Sequence, residues 1–371
     1  LFSPDKKIQK LAVVLLMAVS FSSFICNKSP ENNPTDKNLS TTDSITVELK
    51  DTISFSFVGD IMMGSNHNGN DLPPNDGKDL YAGVSQYLES TDLTFGNLEG
   101  PLLDKGGTPK NCRPGSKCIA FRTPVRYAEY LKDAGFDGLA IANNHANDMG
   151  ETGRKSTAKT LDENGIIYGG TYDYPYSFMK YDSLKIGFTA FAPNVNCLNL
   201  NDIDYAKKLV QKLKDSCDIL IVSFHGGAEG GANRVPRRNE TYLNENRGDV
   251  FKFARTMIDA GADIIYGHGP HVTRGMEVYK GKFIAYSLGN FCTYGKFSLA
   301  GEQGIAPLLQ IYTDRKGNFL YGDIIPIKQI KRGFPVLDES SKVISTVQRL
   351  SKLDFPESKL NISDSGKLTV N

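Results

Sequence analysis

The stretch Phe136-Asp-Gly-Leu-Ala-Ile-Ala-Asn-Asn-His-Ala-Asn-Asp-Met-Gly150 runs from an apolar segment directly into a polar one. Its first half, to Ala142, reads as a buried strand, and the following Glu151 to Asn164 reads as a helix stopped by Gly165. Asn144, His145 and Asp148 therefore leave a strand at its C-terminal end. In open α/β sheets ligands collect there, because the loops converge and the strands hold them rigidly. Four further strand-like runs end the same way: Phe55 to Asp60, Leu93 to Glu99, Ile219 to His225, and Ile264 to His268 with His271 just beyond. Of five histidines in the chain, His145, His225, His268 and His271 lie at such ends.

Outward from that stretch, βα alternation fills the first half. Helical spacing recurs through Leu80, Val84, Tyr87 and Leu88, from Pro124 to Ala134, from Ile203 to Asp215 and from Asn246 to Ala260. Beyond His271 the character becomes antiparallel. Gly275 to Tyr279 and Phe283 to Ser287 flank a Lys-Gly-Lys turn, and Ile305 to Tyr312 and Phe319 to Ile327 flank Asp-Arg-Lys-Gly-Asn. One α/β domain over 51–334, with two packed sheets and helices outside, accommodates both patterns. Residues 335–371 read as a peripheral helix and tail.

With 371 residues and 40% hydrophobic content the chain can bury a large core. A net charge of +1 supplies no basic field, so nucleic acid is not an expected partner. Residues 1–25 look like an export signal, with Lys6, Lys7 and Lys10 before an apolar run too short for a comfortable span. Leu1 in place of Met points to an unusual start codon or a shortened chain. Cys26 follows abruptly and opens a polar tether, 26–50, which resembles a lipoprotein's acylated cysteine with its linker. Ser23-Phe24-Ile25 departs from the usual lipobox, so simple secretion stays open beside a lipid anchor. The expected location is exported, at the cell envelope, otherwise secreted or periplasmic. Cys112 and Cys118 flank a five-residue turn-rich loop and suggest a local disulfide, with zinc as the rival reading. Cys197, Cys217 and Cys292 read as single thiols.

Asp60, Glu99, Asn144, His225, His268 and His271 together supply what a divalent metal centre needs. Carboxylates neutralise and bridge, imidazoles suit Zn, Mn or Fe, and an amide oxygen is a weak neutral ligand. In order, Gly59-Asp60-Ile-Met-Met-Gly64, Asn97-Leu-Glu-Gly-Pro101, Asn143-Asn-His-Ala-Asn-Asp148, His225-Gly-Gly-Ala-Glu229, Gly267-His-Gly-Pro-His271 and Tyr286-Ser-Leu-Gly-Asn290 resemble the blocks of bacterial capsule synthesis proteins of the CapA type, associated with poly-gamma-glutamate. The likeness covers about residues 53–330. That family in turn resembles the calcineurin-like metallophosphoesterases, which implies a four-layer α/β/β/α sandwich and one or two divalent ions. By that resemblance Glu99 is the bridging acid, Asn144 the amide ligand and His145 the residue near the leaving group, with Asp148 orienting its ring.

Two departures stand out. Met62 occupies the place of the usual first-block histidine, and the bridging acid is Glu rather than Asp. One metal position then keeps Asp60, Glu99 and His271, and the other has Glu99, Asn144, His225 and His268. Around this set, Arg122, Glu229 and Asn290 are candidate substrate contacts, each with a plain alternative as a salt bridge, loop carboxylate or turn residue. His67 reads as an exposed loop histidine. The implied function is metal-dependent hydrolysis of a phosphoester or anionic polymer, with membrane-bound capsule synthesis components as partners. The alternative is a polymer-binding or assembly component with a degenerate metal pocket.

Overall fold

In β1 (Thr52–Met62), Ile53, Phe55 and Phe57 alternate with Ser54 and Ser56, and the alternation decides which side each serves. The three apolar residues enter a core shared by two sheets, while Ser54 bonds Asp92 and Ser56 bonds Thr91. This computed structural model describes residues 50–111, 118–231 and 233–371, all within one compact unit. The export segment, Cys26, most of the tether and Cys112 lie outside the described residues.

The remaining strands follow as β2 (Leu93–Leu98), β3 (Gly138–Ala140), β4 (Ile167–Gly169), β5 (Tyr176–Tyr181), β6 (Leu184–Phe191), β7 (Ile219–His225), β8 (Glu240–Tyr242), β9 (Glu245–Gly248) and β10 (Ile264–His268). Then come β11 (Met276–Tyr279), β12 (Lys282–Ala285), β13 (Asn290–Thr293), β14 (Ile305–Asp314), β15 (Phe319–Ile330), β16 (Phe334–Leu337), β17 (Leu360–Ile362) and β18 (Lys367–Val370). Among the described residues, the larger sheet runs β17-β18-β15-β14-β1-β2-β3-β4, with β13 beside β1 and β16 beside β15. The second runs β11-β12-β10-β7-β6-β5. β1 to β4 are mutually parallel, as are β6, β7, β10 and β12, so each sheet gathers its strand ends on one edge.

Three apolar clusters define four layers. Between the sheets, Phe57 lies 5.8 Å from Phe95 and 4.9 Å from Tyr266, and Phe95 lies 5.4 Å from Phe188, ring to ring. Burying each such ring stabilises the fold by roughly 1.5–3 kcal/mol. Outside the larger sheet, Leu131 and Leu161 from the helices Tyr127–Asp133 and Gly150–Glu163 pack on Val58, Ile61 and Leu139. Outside the second, Val210 and Phe253 from the helices Ile203–Lys214 and Val250–Asp259 pack on Leu220, Val222 and Ile265. The α/β/β/α sandwich is therefore present.

Three expectations change. The helix expected from Asn246 starts at Val250, because Asp249 caps it by accepting from the Lys252 N–H at 2.9 Å, and residues before it pair in the β8–β9 hairpin. The helical pattern through Leu80 shrinks to the single turn Ser85–Leu88. Its apolar residues are buried all the same, since Leu80, Val84 and Leu88 pack in the outer core. The C-terminal segment is not peripheral. Val343, Ile344 and Val347 of the helix Lys342–Asp354 sit in the inter-sheet core, and β16 and β18 both pair with β15. An amphipathic helix closes a gap between sheets whose strands twist apart, which local spacing does not reveal.

Candidate functional site

Asp60 lies two residues before the end of β1, Glu99 one residue beyond β2, and His145 a short way past β3. His225 and His268 end β7 and β10 and face each other in register. Asp60, Glu99, His225 and His268 are fully buried, and His145 and His271 nearly so. Glycine makes this crowding possible. A Cβ on Gly59 would lie 2.0 Å from the Gly289 carbonyl oxygen, which accepts from the Asp60 N–H at 2.8 Å. His271 adopts a left-handed backbone with φ 57°, a conformation costing a non-glycine residue about 1–2 kcal/mol. Its ring repays the strain through Nδ1, 3.0 Å from both Asp60 Oδ2 and Asn290 Oδ1.

Asp60 is amply satisfied. Its Oδ1 accepts from Asn97 Nδ2 at 2.9 Å and lies 3.2 Å from His268 Nδ1. Burial alone would raise its pKa, but the adjoining imidazoles of His268 and His271 outweigh burial and hold the carboxyl far below its usual range. Glu99 is the opposite case. Burial, then the charge of Asp60, push its pKa well above the usual value despite the counteracting His271. Both Glu99 oxygens are buried without a hydrogen-bond partner, as are Asn144 Oδ1, Asp148 Oδ1 and both ring nitrogens of His225 and of His268.

Buried polar atoms without partners are costly, so a set of them together calls for a further group. Glu99 Oε1 is 3.6 Å from His225 Nε2 and 3.7 Å from His271 Nε2, beyond hydrogen-bonding distance. One donor atom from each of Glu99, His225 and His271 lies within 4.8 Å of the others. Ligand bonds of about 2.0–2.2 Å place neighbouring ligand atoms roughly 3–4 Å apart, so this trio fits a cation. Burial, then the Arg247 charge, push His225 well below its usual pKa and keep it neutral, as ligation requires. His271 is raised to about 10, because Glu99 and Asp60 overcome the effect of burial. The structure groups the residues differently from the expected split: Asp60 reaches His268 as well as His271, since its side chain lies between the two imidazoles of one turn.

A second group of residues surrounds His145. Its Nδ1 donates to Asp148 Oδ2 at 2.7 Å, its backbone N–H donates to Asn143 Oδ1 at 3.0 Å, and Phe121 stacks on its ring at 4.2 Å. Burial pushes its pKa down to about 4 against the pull of Asp148, so the ring is neutral near pH 7.

The other candidates have structural partners. Arg122 donates to Asn66 Oδ1 at 2.7 Å and to the Asn66 and Gly106 carbonyls, fastening two loops. Asn290 is fully buried, holding His271 and donating to the Gln303 carbonyl at 3.1 Å. Glu229 lies 3.3 Å from Nη1 of the buried Arg247, and its charge reaches Glu99 and His271. Met62 is buried, with its sulfur accepting from the Gly64 N–H at 3.3 Å. His67 is half-buried beside Arg122, rather than exposed. Cys118 is disulfide-bonded, while Cys112, its expected partner, lies outside the described residues. Sequence reasoning missed Lys110, Asn97, Asn143 and Arg247, which carry no motif signature of their own beyond the two asparagines' places in quoted blocks.

The sequence profile described as "Bacterial capsule synthesis protein PGA_cap" matches residues 54–294, the part that contains Asp60, Glu99, Asn144, His145, His225, His268, His271 and Asn290. The chain belongs to this capsule synthesis family. It is similar to the capsule biosynthesis protein CapA of Bacillus anthracis, 33% identical over 76% of this chain and 69% of that protein. It is also similar to the PGA biosynthesis protein CapA of Bacillus subtilis, 34% identical over 65% of this chain and 63% of that protein. A solved calcineurin-like phosphoesterase from Bacillus subtilis is similar with a TM-score of 0.37 and 11% identity, covering 82% of this chain and 96% of that one. As a member of the PGA_cap family this chain is CapA-like, and its ligand-type residues occupy the family's matched region.

Proposed function

We propose that this CapA-like protein acts in synthesis of capsule or poly-gamma-glutamate at the cell envelope as a metal-dependent hydrolase. The observation that carries the reading is the meeting of Glu99, His225 and His271, one donor atom of each within 4.8 Å of the others, with both Glu99 oxygens and both His225 ring nitrogens buried and unpartnered. Glu99, His225 and His271 would hold one divalent ion, with Asn144 and His268 as further donors and Asp60 holding the rings of His268 and His271. Such an ion, when bound, supplies water activation near neutral pH and charge neutralisation at the scissile group.

The chain's own residues supply the rest. His145 donates from Nδ1 to Asp148, which leaves Nε2 as the ring atom that handles protons at the substrate. Its ring is neutral in the substrate-free site and therefore a proton acceptor. An anionic substrate beside it is the charge that would raise its pKa and turn it into a donor. The substrate class is an anionic polymer or a phosphoester. Export rests on the features of residues 1–25, and anchoring on Cys26; among the described residues no helix is long and apolar enough to cross a membrane.

Met62 supports a second reading, a polymer-binding or assembly component that holds an ion without turnover. Its buried sulfur serves the local backbone, so the first block offers Asp60 alone. Metal analysis of the purified protein, with hydrolysis assays on a generic phosphodiester and on poly-gamma-glutamate, separates the two. Turnover abolished in Asp60→Ala and His225→Ala with the fold intact supports hydrolysis; bound metal without turnover on either substrate supports the second reading.

A further inference from the structure

We propose that Lys110 is a positioning residue for His145, acting through the Asp148 carboxylate. Its catalytic meaning rests on the hydrolase reading; its geometry does not. Lys110 lies in the segment 104–111, outside any helix or strand, yet its backbone is tied to the His145 loop: its N–H donates to the Asp148 carbonyl at 2.8 Å, and Thr108 N–H donates to that of Met149 at 3.3 Å. Its ammonium lies 2.6 Å from Asp148 Oδ1 and donates to the Asn144 carbonyl at 3.3 Å. Asp148 Oδ2, in turn, accepts from His145 Nδ1 at 2.7 Å and from the Phe121 N–H at 2.6 Å.

The carboxylate is fully buried; Oδ2 accepts two hydrogen bonds, while Oδ1 has no hydrogen bond and meets the Lys110 ammonium as an ion pair. Among the described residues Lys110 is the cation paired with it, and it faces the oxygen that the ring does not use. Without that hold the carboxylate can turn about its own bond, and the imidazole loses its fixed acceptor. Phe121 stacking limits the tilt of the ring but not its rotation in plane. An ammonium has no lone pair, so although Nζ lies 3.3 Å from His145 Nδ1 it cannot accept the ring proton. The arrangement that satisfies all these groups sends Nδ1–H to Asp148 and turns Nε2 outward, so Lys110 acts on orientation at one remove.

Full-length protein loaded with diamagnetic Zn tests this with Lys110→Met and Lys110→Arg, both checked by thermal melting. The first readout is the His145 Nδ1 proton in imidazole-labelled protein, assigned by its loss in His145→Gln. It is expected to exchange slowly in wild type, to broaden or vanish in Lys110→Met and to return in Lys110→Arg. The second compares phosphodiesters with alkyl and nitrophenyl leaving groups. Lys110→Met is expected to lower kcat about 10–100-fold for the alkyl ester and less than about 3-fold for the nitrophenyl ester, with KM little changed. A retained Nδ1 signal in Lys110→Met, or equal losses on both esters, overturns the role of Lys110. Wild type without turnover on either ester overturns the hydrolase reading instead, and the proton signal alone then decides Lys110.

Discussion

The carboxylates of Asp148 and Glu99 are both fully buried and both stand beside an imidazole, yet they are held in opposite ways. Asp148 Oδ2 accepts hydrogen bonds from His145 and Phe121 at 2.7 and 2.6 Å, and Oδ1, without a hydrogen bond, has the Lys110 ammonium 2.6 Å away as a counter-charge. Glu99 has neighbours at 3.6 and 3.7 Å and no hydrogen bond on either oxygen. A region that the protein satisfies by itself is rigid before any ligand arrives, and orients a group. A region left unsatisfied stores its cost until something from outside fills it. The pairing of the two within one set of strand ends is what suggests a centre that binds an ion on one side and handles a proton on the other.

The largest expected effect breaks the unsatisfied side. Glu99→Gln and His225→Ala should each lower affinity for Mn or Zn by more than the 10–100-fold seen for loss of an outer partner, read by titration calorimetry. Undiminished affinity in both would show that the cluster is not the ion site. The same titration should release at least one proton per ion near pH 7–8, because His271 starts protonated with a pKa of about 10 and must become neutral to ligate. Repeating it in buffers of different ionisation enthalpy counts that proton, and affinity should rise with pH.

On the satisfied side, Asp148→Ala removes the partner of a buried ion pair and should cost about 3–5 kcal/mol in denaturant unfolding. Glu99→Gln in chelator-treated protein should cost nothing or add stability near pH 8. A comparable loss in both variants would erase the contrast.

The pH dependences sharpen it further. His145 has a folded pKa of about 4, below the ordinary 6.5, so its contribution is intact above about pH 6.5 and falls as pH drops toward 4, by about 3 kcal/mol at the limit. Glu99 is raised, so its contribution is intact below its ordinary value of 4.5 and is lost as pH rises through the folded pKa. His145→Gln should flatten the loss toward acid pH and Glu99→Gln the loss as pH rises above 4.5, in unfolding followed across pH without metal. The smallest effect belongs to Arg122→Ala, about 1 kcal/mol or less with KM within a factor of two, since its guanidinium fastens loops. A tenfold rise in KM would instead restore it as a substrate contact.

Much of the site was legible because strand ends carry their chemistry in short blocks. Asp60, Glu99, His225, His268 and His271 could each be placed by the apolar run before them, whereas the close backbone approach at Gly59 and Gly267 emerged only on folding. Lys110 was not legible. It sits in a Gly/Pro-rich excursion whose local pattern predicts only a surface loop, and nothing in that spacing reports that Asp148 is within reach. Arg247 was hidden for the same reason, being assigned to a helix that in fact begins after Asp249.

The chain's order of residues alone therefore determined the layers and the list of ligand-type side chains, because periodicity of two and of about 3.6 residues and the polar ends of apolar runs are local properties. Which donors remain without partners, how Asp60 divides itself between His268 and His271, and that Val343 and Val347 plug the space between the sheets were decided only on folding. Hydrogen-bond satisfaction and burial depend on groups far apart in the chain, and only their meeting in three dimensions fixes who is paired and who is left waiting.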